Sequence, residues 1–259
     1  MKKLLALSLS VALLGAGCSG GLSETSSGTT VAVDEQSSGA TFTGDHCENA
    51  YFPSDVGREV TYSIRVAGKD YQYTQRVIAK DDKSLKLEFL HNGIAILEQD
   101  VACDAGSINM KNVADIALAL EGVKVDVDIT NQEGVYLPAT LDIGDEWRTN
   151  TDFSANVLSG RLFDSGVKEY DQSTLIKNKV VAKEKITVAA GSFDAVKVEQ
   201  IGVTVSRSVK SRYPETNSLK MFLWFVEGIG MVKAESTTGY TTIISGSAVG
   251  KVEAISIKN

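Results

Sequence analysis

The sequence predicts a mainly β fold: an antiparallel curved sheet, arranged as a sandwich or half-barrel, with one short helix. Two related halves remain an open alternative within it. Three observations lead there. Apolar side chains recur at every second residue in several segments, as at Val60, Tyr62, Ile64 and Val66. That period marks strands with one buried face, and polar alternates favour antiparallel sheets open to water on one side. Turn-forming residues separate the runs. The chain has only 3 prolines, and Pro53 and Pro138 stand just before expected strands, while Pro214 lies in a polar loop.

Residues 1–17 read as an address. Lys2 and Lys3 precede an apolar run, Leu4 to Leu14, broken only by Ser8 and Ser10, and Gly15-Ala16-Gly17 leads directly into Cys18. This order of charged, apolar and small residues is that of an export signal. The apolar run is about half the roughly 20 residues a spanning helix needs. The stretch Leu14-Gly15-Ala16-Gly17-Cys18 resembles a lipoprotein signal box, with Gly15 where leucine is usual. The resemblance implies cleavage before Cys18 and a lipid on its thiol, and two or three acyl chains anchor durably where one does not. Ser19 rather than aspartate follows the cysteine. By resemblance to the known sorting pattern, that implies the outer membrane of a diderm host, or the outer face of the cell membrane otherwise.

Residues 18–45 comprise the lipidated cysteine and a Ser-, Gly- and Thr-rich stretch too poor in large apolar side chains to offset its ordering entropy. We expect a flexible tether of roughly 30 Å, with an edge strand at Thr29–Val33 as the alternative. The β domain is expected over 46–259, with halves 46–133 and 134–259 if it is duplicated. Without Lys2 and Lys3 the chain carries 24 basic against 33 acidic residues, a net of −9. A scattered negative surface repels phosphate backbones, so no nucleic-acid partner is expected.

With Cys18 given to lipid, Cys47 and Cys103 remain, and in an oxidising compartment they are expected to pair. Two histidines, His46 and His91, are too few to complete a metal site with them. The strands then follow in order. Gly68-Lys69-Asp70 ends the first run; Leu85, Leu87 and Phe89 form another, and His91-Asn92-Gly93 marks a hairpin. Asn112 is the candidate cap of a helix carrying Val113, Ile116, Ala117 and Leu120, ended by Gly122, which would plug one end of the β core. Val123 to Ile129 resumes alternation, as does Val196 with Val198. Thr238-Gly239 marks a late turn.

Tyr51-Phe52-Pro53 leading to Gly57 has a counterpart in Tyr136-Leu137-Pro138 leading to Gly144. In each, a fixed turn and a glycine precede a strand with a large residue three positions on. Two phrases follow in the second half: Ile186-Thr187-Val188-Ala189-Ala190-Gly191-Ser192-Phe193-Asp194-Ala195-Val196-Lys197-Val198, and Trp224-Phe225-Val226-Glu227-Gly228-Ile229-Gly230-Met231-Val232-Lys233. With the Phe-Pro…Gly opening, the chain over residues 50–258 resembles uncharacterised bacterial lipoproteins with a TapB-like domain of unknown function. The resemblance implies a β fold and an envelope location, and brings no catalytic residue or cofactor. The residues themselves read as architecture: Gly191 lets the flanking strands pair, and Gly228 and Gly230 allow a turn or a close backbone approach.

Candidate chemistry is thin. Ser165-Gly166-Val167-Lys168 has the Ser-x-x-Lys spacing of penicillin-recognising enzymes, but in a Gly-rich setting without a Lys-Thr-Gly partner. Asp126 with Asp128, and Asp142 with Asp145, are carboxylate pairs better explained by a solvated strand and a turn. His46 and His91 have no identifiable nucleophile or orienting acid. Tyr71, Tyr73, Tyr240, Trp147 and Trp224 are candidates for a groove, although aromatics also anchor β cores. Met221–Val226 reads as a strand buried on both faces or the wall of an apolar cavity. The expected function is a non-enzymatic envelope lipoprotein, binding or structural, held to the membrane through Cys18. Its partner would be an envelope protein, a polymer or an apolar ligand. Carriage of lipid in a half-barrel, and an enzyme with an unrecognised site, are the alternatives.

Overall fold

The computed structural model describes residues 42–66, 68–112, 115–159, 169–208, 213–237 and 249–258. Cys18, the signal and most of the tether, Thr29–Val33, Ser165, Lys168 and Tyr240 lie outside them. Residues Thr41–Asn259 form one compact unit.

Alternation builds the strands in chain order. β1 (Glu59–Val66), β2 (Lys69–Asp81), β3 (Ser84–His91), β4 (Ile94–Asp104) and β5 (Ser107–Met110) form a meander. The short helix α1 (Ile116–Leu120) follows. β6 (Lys124–Gly134), β7 (Glu146–Ser159), β8 (Glu169–Val188) and β9 (Gly191–Ser208) form a second run. β10 (Glu215–Val226), β11 (Gly230–Ser236) and β12 (Val249–Lys258) complete it. All twelve join one antiparallel sheet in the order β5-β4-β3-β2-β1-β12-β11-β10-β9-β8-β7-β6. The return of β12 to β1 joins the two runs.

The sheet is strongly curved but not closed. Its two margins meet at a single antiparallel bridge between Ile108 and Leu137. Ile108 N–H donates to Leu137 O at 2.8 Å, and Tyr136 N–H to Ile108 O at 2.9 Å. Among the described residues no ladder extends the bridge, and the result is a half-barrel. Its concave face buries Val60, Tyr62, Leu87, Phe89, Val198 and Val232 as one apolar cluster. A smaller cluster unites Leu118, Val123, Phe153, Ala155 and Tyr170.

Turn chemistry fixes the hairpins. Asn92 and Gly93 both have positive φ, 52° and 77°, the backbone a two-residue hairpin needs to follow strand twist. The helix is shorter than the spacing predicts. Asp115, not Asn112, caps it, accepting from Leu118 N–H at 3.0 Å. Asn112 instead turns toward β4, where its amide accepts from Asp100 N–H and donates to Glu98 O.

The twin Pro…Gly motifs make matching bonds. Gly57 N–H donates to Val77 O and Gly144 N–H to Val180 O, at 2.9 and 3.0 Å. Val77 N–H returns to Arg58 O, and Val180 N–H to Asp145 O. A register shift then follows each valine, between Val77 and Ala79 on β2 and between Val180 and Ala182 on β8.

An N-terminal strap, residues 45–53, is fastened to this scaffold. A disulfide joins Cys47 to Cys103 on β4. Asn49 Nδ2 donates to Gly106 O at 2.7 Å and Pro138 O at 2.9 Å. The Gly228-Ile229-Gly230 turn lies against the same strap: Gly228 N–H donates to Ala50 O at 2.7 Å. A Cβ on Gly230 would come within 2.8 Å of Pro53 Cδ. Close approach to the strap therefore accounts for Gly230, and a positive φ of 72° in open space for Gly228.

Candidate functional site

The concave face is not filled by side chains. A cavity of about 270 Å³ lies within it. The strap contributes Phe52, and the first meander contributes Tyr73, Leu87, Phe89 and Met110. The amides of Gln75, Gln99 and Asn112 interrupt that apolar wall. The opposite run contributes Thr149, Thr151, Thr174, Asn178 and Gln200, together with Ile129, Phe153 and Ile176. Gln132 of β6, Tyr136, Ile116 of α1 and Met231 of β11 complete the lining.

Register explains the polar wall. Thr151 pairs with Thr174, Thr174 with Thr204, and Asn178 with Gln200 across β7, β8 and β9. Side chains at paired positions share a face, so a polar stripe crosses the inner surface. Parts of it are satisfied internally. The Thr174 and Thr204 hydroxyls lie 3.2 Å apart, and Gln172 Nε2 donates to Thr174 Oγ1 at 3.2 Å. Gln200 Nε2 donates to Asn178 Oδ1 at 2.8 Å. Other groups are not. Asn178 is 4% exposed, yet its Nδ2 has no partner among the described residues. Neither do the side chains of Gln75, Gln132 and Thr151. Burial, with Tyr62 beside it, holds the Tyr73 hydroxyl well above its ordinary range, so this lining group stays neutral.

The residues singled out from sequence do not converge. Asp126 and Asp128 are exposed on β6. Asp145 Oδ2 accepts from Asp142 N–H at 2.8 Å, a turn arrangement, and Lys183 pairs with Asp142. His46 Nδ1 accepts from Ala105 N–H at 3.1 Å, so this histidine fastens the strap to the β4–β5 turn. His91 lies 2.7 Å from Gln72 O through Nδ1. Tyr71 bonds Glu121 at the surface. Trp147 is half-buried and donates to Tyr136 O at 3.1 Å. Trp224 is buried, donating to Glu184 Oε1 at 2.7 Å beneath Lys197 and Lys233. That hydrogen bond holds the Glu184 carboxyl below its usual range. Leu223 to Val226 belong to the packed core and do not line the cavity; of the aromatic candidates, Tyr73 does. Among the described residues no group of three or more His, Cys, Asp and Glu side chains is placed to hold a metal ion. No helix there is long and apolar enough to cross a membrane.

Sequence reasoning missed most of the lining. Its signal was present as inverted alternation. On β9, Gln200, Gly202 and Thr204 face inward, while Ile201, Val203 and Val205 are exposed at 44%, 41% and 39%. Leu175 does the same on β8, opposite Val203.

Comparison with known proteins adds the following. No curated protein matches the chain. A crystal structure of a Bacteroides fragilis protein, described as exported and as having a YmcC-like fold, superposes with a TM-score of 0.51 at 16% identity. The match covers 82% of this chain and 100% of that one. A Parabacteroides distasonis protein described as a lipoprotein gives a TM-score of 0.49 at 16% identity, with the same coverage of 82% and 100%. The first likeness shows a shared fold. The model of the DUF3108-like family, an uncharacterised domain, matches residues 68–248. That span lies inside the stretch over which the sequence resembles uncharacterised lipoproteins, and it covers most of the half-barrel. The chain belongs to the DUF3108-like family.

Proposed function

We propose that this chain is an exported, lipid-anchored binding protein, with acyl chains on Cys18 and a ligand seat inside the half-barrel. The cavity carries the reading: about 270 Å³ of space, just under the usual size of small-molecule sites, lined by apolar groups together with amides and hydroxyls. Its lining offers hydrogen bonds and hydrocarbon contact rather than a paired acid and base, which supports binding without turnover. The address read at Cys18 supports location outside the cytoplasm, at the outer membrane of a diderm host or the outer face of a single membrane. The export described for the Bacteroides fragilis protein of similar fold is in keeping with it.

Intact and native mass spectrometry of protein from its own host tests both parts. The mature chain is expected to begin at Cys18 with the added mass of two or three acyl chains, and to carry a ligand released on unfolding. A mature chain beginning upstream without acyl mass overturns the anchor. A ligand-free mass, or turnover of a wall polymer, ester or peptide by the purified protein, overturns the binding role.

A further inference from the structure

We infer that the half-barrel cavity selects an uncharged amphiphile: a short hydrocarbon part joined to a hydroxyl- or amide-bearing part. The inference rests on the cavity being the ligand seat and adds the class of molecule it takes.

Three observations carry it. First, among the described residues lining the cavity, none is Lys, Arg, His, Asp or Glu. Its two tyrosines, Tyr73 and Tyr136, are held neutral by burial. A carboxylate, phosphate or ammonium group entering would lose its hydration and meet no counter-charge, which disfavours it. Second, the lining mixes two chemistries, each wall holding groups of both kinds. Leu87, Phe89 and Met110 supply hydrocarbon and aromatic contact from the first meander. Thr151, Thr174, Asn178 and Gln200 supply amides and hydroxyls from β7, β8 and β9. Third, some of those polar groups are left for a ligand. Asn178 is 96% buried by its exposure of 4%, and its Oδ1 is taken by Gln200, while Nδ2 has no partner among the described residues. Thr151 and Gln75 are likewise unpartnered. A donor open to the cavity and without a protein partner favours a carbonyl or hydroxyl oxygen beside it. With a water's share of liquid near 30 Å³, a volume of 270 Å³ takes a group of about ten non-hydrogen atoms.

The test compares three probes of one chain length and nearly one size, octanamide, octanoate and octylammonium, by titration calorimetry against the folded protein. The neutral amide is expected to bind at least tenfold more tightly than either ion. Asn178→Leu, which keeps the branched side-chain shape and removes its polar atoms, is expected to weaken octanamide about tenfold while leaving a purely apolar probe such as naphthalene unaffected. A merely structural role would move both probes together. Gln132→Lys places a cation on the edge strand β6 and is expected to recruit octanoate about tenfold; it keeps the test alive should Asn178→Leu not fold. Octanoate or octylammonium bound as tightly as the amide by the unaltered protein overturns the ligand class and leaves the cavity as a site. Binding of none of the probes overturns the class and the cavity seat together.

Discussion

Removing the Cys47–Cys103 bridge isolates what the strap owes to covalent restraint. The double variant Cys47→Ala/Cys103→Ala suits the purpose, because both residues are buried and serine would add an unpaired hydroxyl with its own cost. The bridge closes a loop with a sequence separation of 56 residues. In the chain-entropy account such a loop restricts the denatured ensemble by about 4 kcal/mol. For a domain of this size each kcal/mol moves the melting temperature by roughly 2–4 °C, so a fall of about 8–16 °C is expected. The folded strap keeps its other ties: Asn49 to Gly106 and Pro138, Gly106 N–H to His46 O at 2.9 Å, and Gly228 to Ala50. The effect therefore acts through the unfolded chain, and unfolding remains one transition with the strap docked. Calorimetry with limited proteolysis reads both quantities. A fall under about 4 °C would refute the entropic reasoning. Early cleavage within residues 45–53 would refute the claim that the remaining contacts hold the strap.

Gly134→Ala places a Cβ 2.0 Å from Arg148 O at a φ of +81°, which combines backbone strain with overlap and is expected to cost about 3 kcal/mol by thermal unfolding. Gly228→Ala, at a φ of +72° with open space around it, is the control and is expected to cost about 1 kcal/mol; equal losses would sink the steric argument. Glu184 is held below the usual carboxyl range first by the Trp224 indole and then by Lys197 and Lys233. A depressed carboxyl contributes stability above its unfolded pKa of about 4.3 and loses it as pH falls through the lower folded value. Stability and Trp224 emission should hold from neutral pH to about 5 and then fall, more shallowly in Glu184→Gln; superimposable acid limbs would exclude this pair as a contributor.

Much of the scaffold was legible because local chemistry and global fold agree. Val60 to Val66 alternates because one face of β1 is buried, and Asn92-Gly93 turns because both residues accept positive φ. The helix was legible in place but not in length. Asn112 looked like its cap because asparagine favours caps, yet β4 offered the Asn112 amide two backbone partners. The long-range steps were not legible. Nothing near Val249–Lys258 indicates that it pairs with β1, or that Ile108 meets Leu137 across the sheet margins. Such contacts are set by the closing of the whole meander, which no local window contains.

The cavity was missed for a more specific reason. Period two identifies a strand but does not say which set of side chains faces inward. On β1 and β3 the apolar set is inside, and the same assumption on β9 would put Ile201, Val203 and Val205 in the core. The structure places them outside, with Gln200, Gly202 and Thr204 within. The matching motifs account for the difference in content. Gln75 stands two residues before Val77, and Asn178 two before Val180, so the same place in each motif holds an amide. Opposite Gln75 the register sets Phe89, whereas opposite Asn178 it sets Gln200. An aromatic ring packs one wall; an amide pair leaves the other polar and incompletely satisfied. A core of this shape forgoes packing that a leucine at Asn178 or Gln200 would supply. A fold serving only as a spacer gains nothing from that sacrifice, whereas one that holds a neutral amphiphile does.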